Sequence, residues 1–467
     1  MRALLILVLA CPLGAVKVKV GAAVVEVPLE RYTAGVLAGE TSVFQSDEAL
    51  KAMAVAARTY AVRMRGRHAA EGFDFCDTTH CQRVDLDGIT ARLESIVAET
   101  AGELVWYRGK PAFTPYTRDC GGRTEDAGSV WPELAASYLT HRDDPYCGRS
   151  RWQWVGDPQR IAAALARAGL RTPRRVDSVM VVERTDGGRA KTLALAGVGE
   201  SVRIAAGAFH SALGRDLGWN TLRSDWYEVR GVVFDGFGAG HGVGLCQRGA
   251  DRMGLAGRSY REILAFYYPG TAAGVTARGL AWRRLAGERI ALWTTEPEQD
   301  GLVLGMAEQM APRLAERTGW NWPAGVEIRE YPDVDTFRNA TGEPGWVAAR
   351  TEGRRIQLQP ASVLRGRGAL EETLTHELLH VLVESEAAAG LPVWFREGLV
   401  EVLAGRARPA GTMRIPSDAE LRQTGDQAMA RRAYADAAGA AAELVKRYGE
   451  TAVLGWVKRG LPAEVAK

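Results

Sequence analysis

EETLTHELLHVLVESE, residues 371–386, followed by LPVWFREGLVEVLAG, residues 391–405, decides how the last third of this 467-residue chain is read. The first run has the spacing of an amphipathic helix and is ended by Gly390 and Pro392. His376 and His380 stand four apart in it, so both imidazoles leave one face about one turn from each other, close enough to share a metal ion. Glu377, beside the first histidine, is placed to take a proton from a zinc-bound water. The second run starts another helix, which carries Glu397 and Glu401. A carboxylate from an adjacent helix completes a three-ligand set and leaves a fourth vertex for water, as catalytic zinc requires. The expected ligands are therefore His376, His380 and Glu397, with Glu377 as the base. A helix with two surface histidines, or a metal site without turnover, would give the same letters.

These residues resemble the gluzincin metallopeptidases, in which HExxH is followed by a helix bearing an EGxAE-like motif. The resemblance covers roughly residues 290–405 and implies Glu397 as a ligand, with Glu401 behind it. Val400 stands where a smaller residue is more usual. By the same resemblance RIQLQ, residues 355–359, looks like the edge strand along which an extended peptide would lie.

Outward from that segment, the length allows two or three packed cores, since single cores rarely grow past about 250–300 residues. With 46% hydrophobic and 25% charged residues the composition is that of an ordinary globular protein. A net charge of +3 and no block of basic residues argue against a nucleic-acid partner. A boundary is expected at about residues 272–285: no cysteine follows Cys246, and a new βα pattern begins at RIALWTTE, residues 289–296. The opening MRALLILVLACPLGA reads as an export signal over residues 1–15, with a first buried strand as the alternative. Cys11 offers a lipid-attachment point, and the mature chain is expected in the periplasm or cell envelope. Five cysteines then remain, Cys76, Cys81, Cys120, Cys147 and Cys246, and an odd count means that not all are in disulfides.

The first 270 residues read as α+β. KVKVGAAVVEV, residues 17–27, alternates like a hairpin with Gly21 at its turn. A short helix ending near Glu40 and a long one beginning at Asp47 follow, the second with a core face of Leu50, Met53, Ala54, Ala57 and Ala61. Residues 160–230 suggest a small α+β insertion, and FDGFGAGHGVGLCQRGADRMG, residues 234–254, is glycine-rich at its start and helical at its end. Partial burial of Glu40 between an apolar helix and a turn would raise its pKa and suit it to donate a proton, although a surface glutamate beside a turn is the plainer reading. CDTTHC puts Cys76, His80 and Cys81 within six residues, with His68 upstream, a set able to hold a structural zinc or to form a disulfide.

GVLAGE, ALKAMAVAARTYAV, FCDTTHCQ, PYTRDCGGRTE, RSDWYEV and GHGVGLCQRGADRMGLAGRSYREILAFYYPGT, spread in that order over about residues 17–272, resemble the stage II sporulation protein D and amidase-enhancer family. The resemblance implies lytic transglycosylase-like action on peptidoglycan glycan strands, with Glu40 as catalytic acid and Lys51 and Arg58 as groove residues. It also implies His241 and Gln247 as polar members of the cleft loop, and Cys76, His80 and Cys81 as metal ligands, with His68 as a fourth. Cys246 occupies a place where serine is common.

The expectation is thus an exported two-domain α+β protein. Residues 17–272 would form a glycan-cleft domain and residues 285–467 a zincin-like domain. Its partners would be glycan strands, a cell-wall amidase and a peptide or protein substrate not specified by sequence. Its cofactors would be a catalytic zinc and a second, structural one. The alternative is a glycan-binding module, without cleavage, that targets a zinc peptidase to the wall.

Overall fold

The computed structural model describes residues 15–40, 44–407, 414–421, 426–462 and 465. Except for Ala15, the expected export signal, Cys11 included, lies outside them. The described residues form two compact units, Val16–Leu280 and one that holds Ala281–Lys467. Both mix helices with small sheets, and no described helix is long and apolar enough to cross a membrane.

In the first unit Ala15–Val20 is the middle strand of three, flanked by Ala23–Pro28 and by Phe75–Cys76, which runs parallel to it. Gly21, at φ +58°, makes the turn between the first two strands. The helix Asp47–Met64 is capped by the Ser46 side chain at the Ala49 N–H and is buried all round rather than on one face. Its alanines are the reason. With Ala52, Ala54, Ala56, Ala57 and Ala61 on successive faces, the helices Leu29–Glu40, Ala91–Glu99, Gln247–Leu255 and Tyr260–Tyr267 can all approach it. Gly39 serves the same close packing: a Cβ there would sit 2.5 Å from the Arg83 carbonyl oxygen, so only glycine lets the end of the Leu29–Glu40 helix lie on that segment.

The expected insertion is larger than its periodic core suggested. It begins at Arg151–Val155, because that strand pairs antiparallel with Val233–Phe237 and closes a separate core around Ile161, Leu193, Phe209 and Phe234. The chain then returns through Gly238, Gly240, Gly242 and Gly244, all at positive φ. At Gly244 a Cβ would meet the Pro115 carbonyl oxygen at 2.0 Å, which lets Leu245–Cys246 pair in parallel with Tyr116–Thr117.

The second unit is built on a five-stranded sheet in the order Arg283–Ala286, Ile290–Thr294, Val326–Glu330, Arg355–Leu358, Ala349–Glu352. The three central strands are parallel and the two outer ones antiparallel to their neighbours. This corrects the reading of residues 355–359 as an edge: the four-residue strand Ala349–Glu352, too short and polar to stand out in the sequence, covers it and takes the edge. The helix Leu370–Glu386 is shared by two cores. Leu374, Leu378 and Val381 face the sheet, while Leu379, Leu382 and Val383 face Val393–Leu403 and the helices Gln427–Tyr448 and Glu450–Arg459.

One buried acid in this unit sets a pH dependence. Glu330 accepts from the Ala361 N–H at 2.6 Å, and burial together with the Asp300 carboxylate beside it pushes its pKa up to about 8. A carboxyl whose folded pKa is raised stabilises the fold below its unfolded value, near 4.5, and loses that contribution as pH rises through about 8. Glu330→Gln, which keeps the shape without the charge, is therefore expected to raise the melting temperature of this unit at pH 9 and to change it little at pH 5, as followed by calorimetry.

Candidate functional sites

Glu40 is the last residue of the helix Leu29–Glu40. Its Oε2 accepts from Gln247 Nε2 at 3.0 Å, the first side chain of the Gln247–Leu255 helix, 207 residues away in the chain. Burial raises the Glu40 pKa, opposed by the Gln247 bond and by the Arg83 and Arg118 guanidiniums nearby. The buried Tyr116 phenol lies close enough to feel the Glu40 charge. Tyr116 Oη accepts from Gln82 Nε2 at 3.2 Å, and Gln82 Oε1 accepts from Tyr32 Oη at 3.1 Å. Tyr32, Gln82 and Tyr116 thus form a hydrogen-bonded chain whose Tyr116 end lies near the carboxyl. Gln82 and Tyr116 fall inside the segments FCDTTHCQ and PYTRDCGGRTE, but neither they nor Tyr32 are assigned a role from sequence, because single tyrosines and glutamines carry no spacing signal.

The other expected groove residues are placed differently. Arg58 is 1% exposed and is not a groove residue. Its guanidinium forks onto Glu30 at 2.6–3.1 Å and donates to the Glu103 carbonyl at 3.2 Å, so it clamps two segments together inside the core. Arg58→Met would leave Glu30 without its cationic partner, with the Gly102 N–H at 3.0 Å still donating to it. The cost is expected near roughly 2–4 kcal/mol, because Glu30 retains some solvent contact, and denaturant unfolding of the full chain would measure it. Lys51 is engaged with Glu48 and Glu99, each at 2.9 Å. His241 pins its own loop: Nδ1 accepts from the Val243 N–H at 3.0 Å, the ring packs edge-on against Trp131, and it bonds the Tyr116 main chain. Burial and the nearby Arg189 push its pKa down to about 4, so it is neutral at physiological pH.

The four residues His68, Cys76, His80 and Cys81 converge, with one donor atom from each within 4.8 Å of the others. His68 Nε2 is 3.3 Å from Cys81 Sγ, and His80 Nδ1 lies 3.8 and 3.7 Å from the two sulfurs. His68 Nδ1 is held by Glu71 at 2.6 Å, the carboxylate partner that orients a ligating imidazole. The two thiols are not joined in a disulfide. Two sulfurs and two imidazole nitrogens around one point are the donor set of a structural zinc.

In the second unit His376, His380 and Glu397 also converge within 4.8 Å. The two Nε2 atoms face each other at 3.1 Å, and Glu397 Oε2 is 3.2 Å from His380 Nε2. Glu401 Oε1 lies 3.0 Å from His376 Nδ1, and Arg406, which holds Glu401 at 2.6 Å, brings its guanidinium to 2.6 Å from the same ring nitrogen, so both residues fix the orientation of the His376 ring. Glu377 is buried and accepts from Thr351 Oγ1 at 2.6 Å, a partner supplied by the edge strand. Gly398, next to Glu397, is required by packing. A Cβ there would come within 2.2 Å of the Ala437 carbonyl oxygen, so the glycine lets the Val393–Leu403 helix lie against Gln427–Tyr448. Two imidazole nitrogens and a carboxylate oxygen around one point are a donor set that fits a divalent zinc ion.

Comparison with known proteins bears on the first unit. A model of the family described as "Stage II sporulation protein" matches residues 19–107. Residues 19–107 resemble that family. An uncharacterized protein of Brachyspira hyodysenteriae is 32% identical over 249 residues, 52% of this chain and 66% of that protein. Stage II sporulation protein D of Bacillus subtilis is 28% identical over 268 residues, 52% of this chain and 74% of that protein. The amidase enhancer of Bacillus subtilis is 28% identical over 287 residues, 51% of this chain and 39% of that protein. Each similarity thus spans about half of this chain, and two of the three relatives are covered over less than about two-thirds of their length.

Proposed function

We infer that this is a cell-wall protein whose first unit binds peptidoglycan glycan strands and cleaves them with Glu40 as the general acid. The observation that carries the reading is the Glu40 carboxyl, raised in pKa by burial and held by Gln247 at 3.0 Å. A carboxyl whose pKa is raised by burial holds its proton more readily and can give it to the oxygen bridging two sugars as the C1–O bond breaks. Positive charge develops at C1, the sugar's own 6-hydroxyl attacks it, and the hydroxyl proton returns to the Glu40 carboxylate. The product is a 1,6-anhydro end, so no second carboxylate is needed, unlike ordinary hydrolytic glycosidases. Mass spectrometry of stem-peptide-free glycan incubated with the full chain tests this: anhydro ends are expected, whereas intact strands that co-sediment with the protein would leave binding alone, the role of a module that enhances a separate amidase.

A second activity is proposed for the other unit, because His376, His380 and Glu397 come together from two helices. They would hold a zinc ion, with Glu377 beside it to take a proton and Glu401 to fix the His376 ring. When bound, zinc supplies a Lewis acid and lowers the pKa of its water. The chain's own part is to orient the imidazoles and to keep the Glu377 carboxylate anchored by Thr351. Peptide or protein hydrolysis at the cell wall is the reaction class this donor set suits.

A further inference from the structure

We propose that the first unit holds a second, fully buried zinc ion, bound by Cys120, Cys147, Cys246 and Asp144. The three sulfurs and one Asp144 oxygen lie within 4.8 Å of one another, and all four residues are at most 1% exposed. They come from three separate segments. Cys120 follows the Tyr116–Thr117 strand, Asp144 and Cys147 lie before the insertion, and Cys246 caps the Gln247–Leu255 helix after it.

The surroundings are arranged for negatively charged ligands. Cys246 Sγ accepts main-chain N–H bonds from Cys120 at 3.2 Å and Gly249 at 3.4 Å, contacts that favour a thiolate. Asp144 Oδ1 accepts from the N–H groups of Tyr146 and Cys147, each at 3.0 Å, and Oδ2 from Tyr267 Oη at 2.8 Å, which aims the carboxylate at Cys120 Sγ, 3.2 Å away. The buried Arg189 donates to the Cys120 carbonyl at 2.9 Å, and Arg248 pairs at 3.0 Å with Asp119, whose other oxygen is 3.1 Å from Cys147 Sγ. In the thiolate form, three sulfurs buried beside a carboxylate without a cation would carry a large desolvation cost, which one divalent ion relieves. A disulfide would join two of the sulfurs and leave the third outside the bond. The odd count also resolves: Cys76 and Cys81 serve the first site and the remaining three serve this one, so all five described cysteines are used. Four protein donors with no open vertex make it a structural site.

Its consequence reaches Glu40. Cys246 is adjacent to Gln247, so the ion would anchor the start of the helix that presents Gln247 to the Glu40 carboxyl. The site is a positioning device for that pair.

Zinc in the purified full-length chain, measured by inductively coupled plasma mass spectrometry, tests the proposal. Cys147→Ser is expected to carry about one zinc fewer than wild type, and Cys76→Ser combined with Cys147→Ser about two fewer. Equal zinc in wild type and a cooperatively melting Cys147→Ser overturns it. Should Cys147→Ser fail to fold, the wild-type chain decides. Denatured unreduced in alkylating agent, it should label Cys120, Cys147 and Cys246, and its cobalt-loaded form should show sulfur-to-cobalt absorbance from five thiolates. A disulfide among those three, or absorbance from only two, refutes the site.

Discussion

Glu40→Gln is expected to lower the rate of anhydro-end formation from glycan strands by roughly 10²–10⁴-fold, the contribution of a positioned general acid. The amide is close in shape and can still meet Gln247, so binding of the strand should persist and the loss should fall on turnover. Stability should move the other way. Burial raises the Glu40 pKa, so in wild type its contribution to folding is complete below the unfolded carboxylate value and is lost as pH rises through the folded one. Glutamine removes that loss, and the variant should melt no lower than wild type at pH 7. The activity of wild type should fall with pH on the same ionisation. A variant that cleaves at the wild-type rate would remove Glu40 from the chemistry, and one that no longer binds strands would mark it as a contact instead.

Gln247 makes the complementary case. Its Nε2 bonds the Glu40 carboxylate form, which lowers the pKa that burial raises. The balance between these two effects sets the acid. It depends on the ends of two helices, Glu40 at the C-terminus of one and Gln247 at the N-terminus of the other, being held at a fixed separation. Gly39 against Arg83 and Gly254 against Ser46, where added Cβ atoms would lie 2.5 and 2.1 Å from their neighbours, let the C-terminal turns of both helices pack closely on adjoining segments.

What the sequence made legible was local. The four-residue spacing of His376 and His380 and the CDTTHC cluster place donors on one turn or one loop, and chain geometry alone then brings them near each other. Glu401 behind His376 was legible through the resemblance, and its contact at 3.0 Å agrees with that placement. What was not legible depends on segments distant in the chain. Glu40 meets Gln247, Glu377 meets Thr351, and Cys120 meets Cys246 only after strands have paired, and no periodicity encodes those meetings. Arg58 shows the opposite failure. The resemblance implied a groove residue, yet with neighbours this small the helix is surrounded and its arginine turns inward to Glu30.

Glu397→Ala should lower the zinc affinity of the second unit far more than Glu401→Ala, which should cost about 10–100-fold. The difference follows from where the two carboxylates stand. Glu397 Oε2 faces His380 Nε2 at 3.2 Å, on the side where the Nε2 atoms of both imidazoles converge. Glu401 faces Nδ1 of His376, the far side of the ring, and can act only through that ring's orientation and tautomer. Zinc titration against a competing chelator, on full-length protein whose first-unit sites remain loaded, would read both. His376→Ala should remove about one zinc per chain outright. If the proposed peptidase reading holds, Glu377→Gln should leave the metal content unchanged and abolish hydrolysis, because the carboxylate tied to Thr351 would act as a base and not as a ligand. Zinc retained in Glu397→Ala at wild-type affinity would assign the third donor elsewhere. Zinc lost in Glu377→Gln would make that residue a ligand and reverse the roles of the two glutamates.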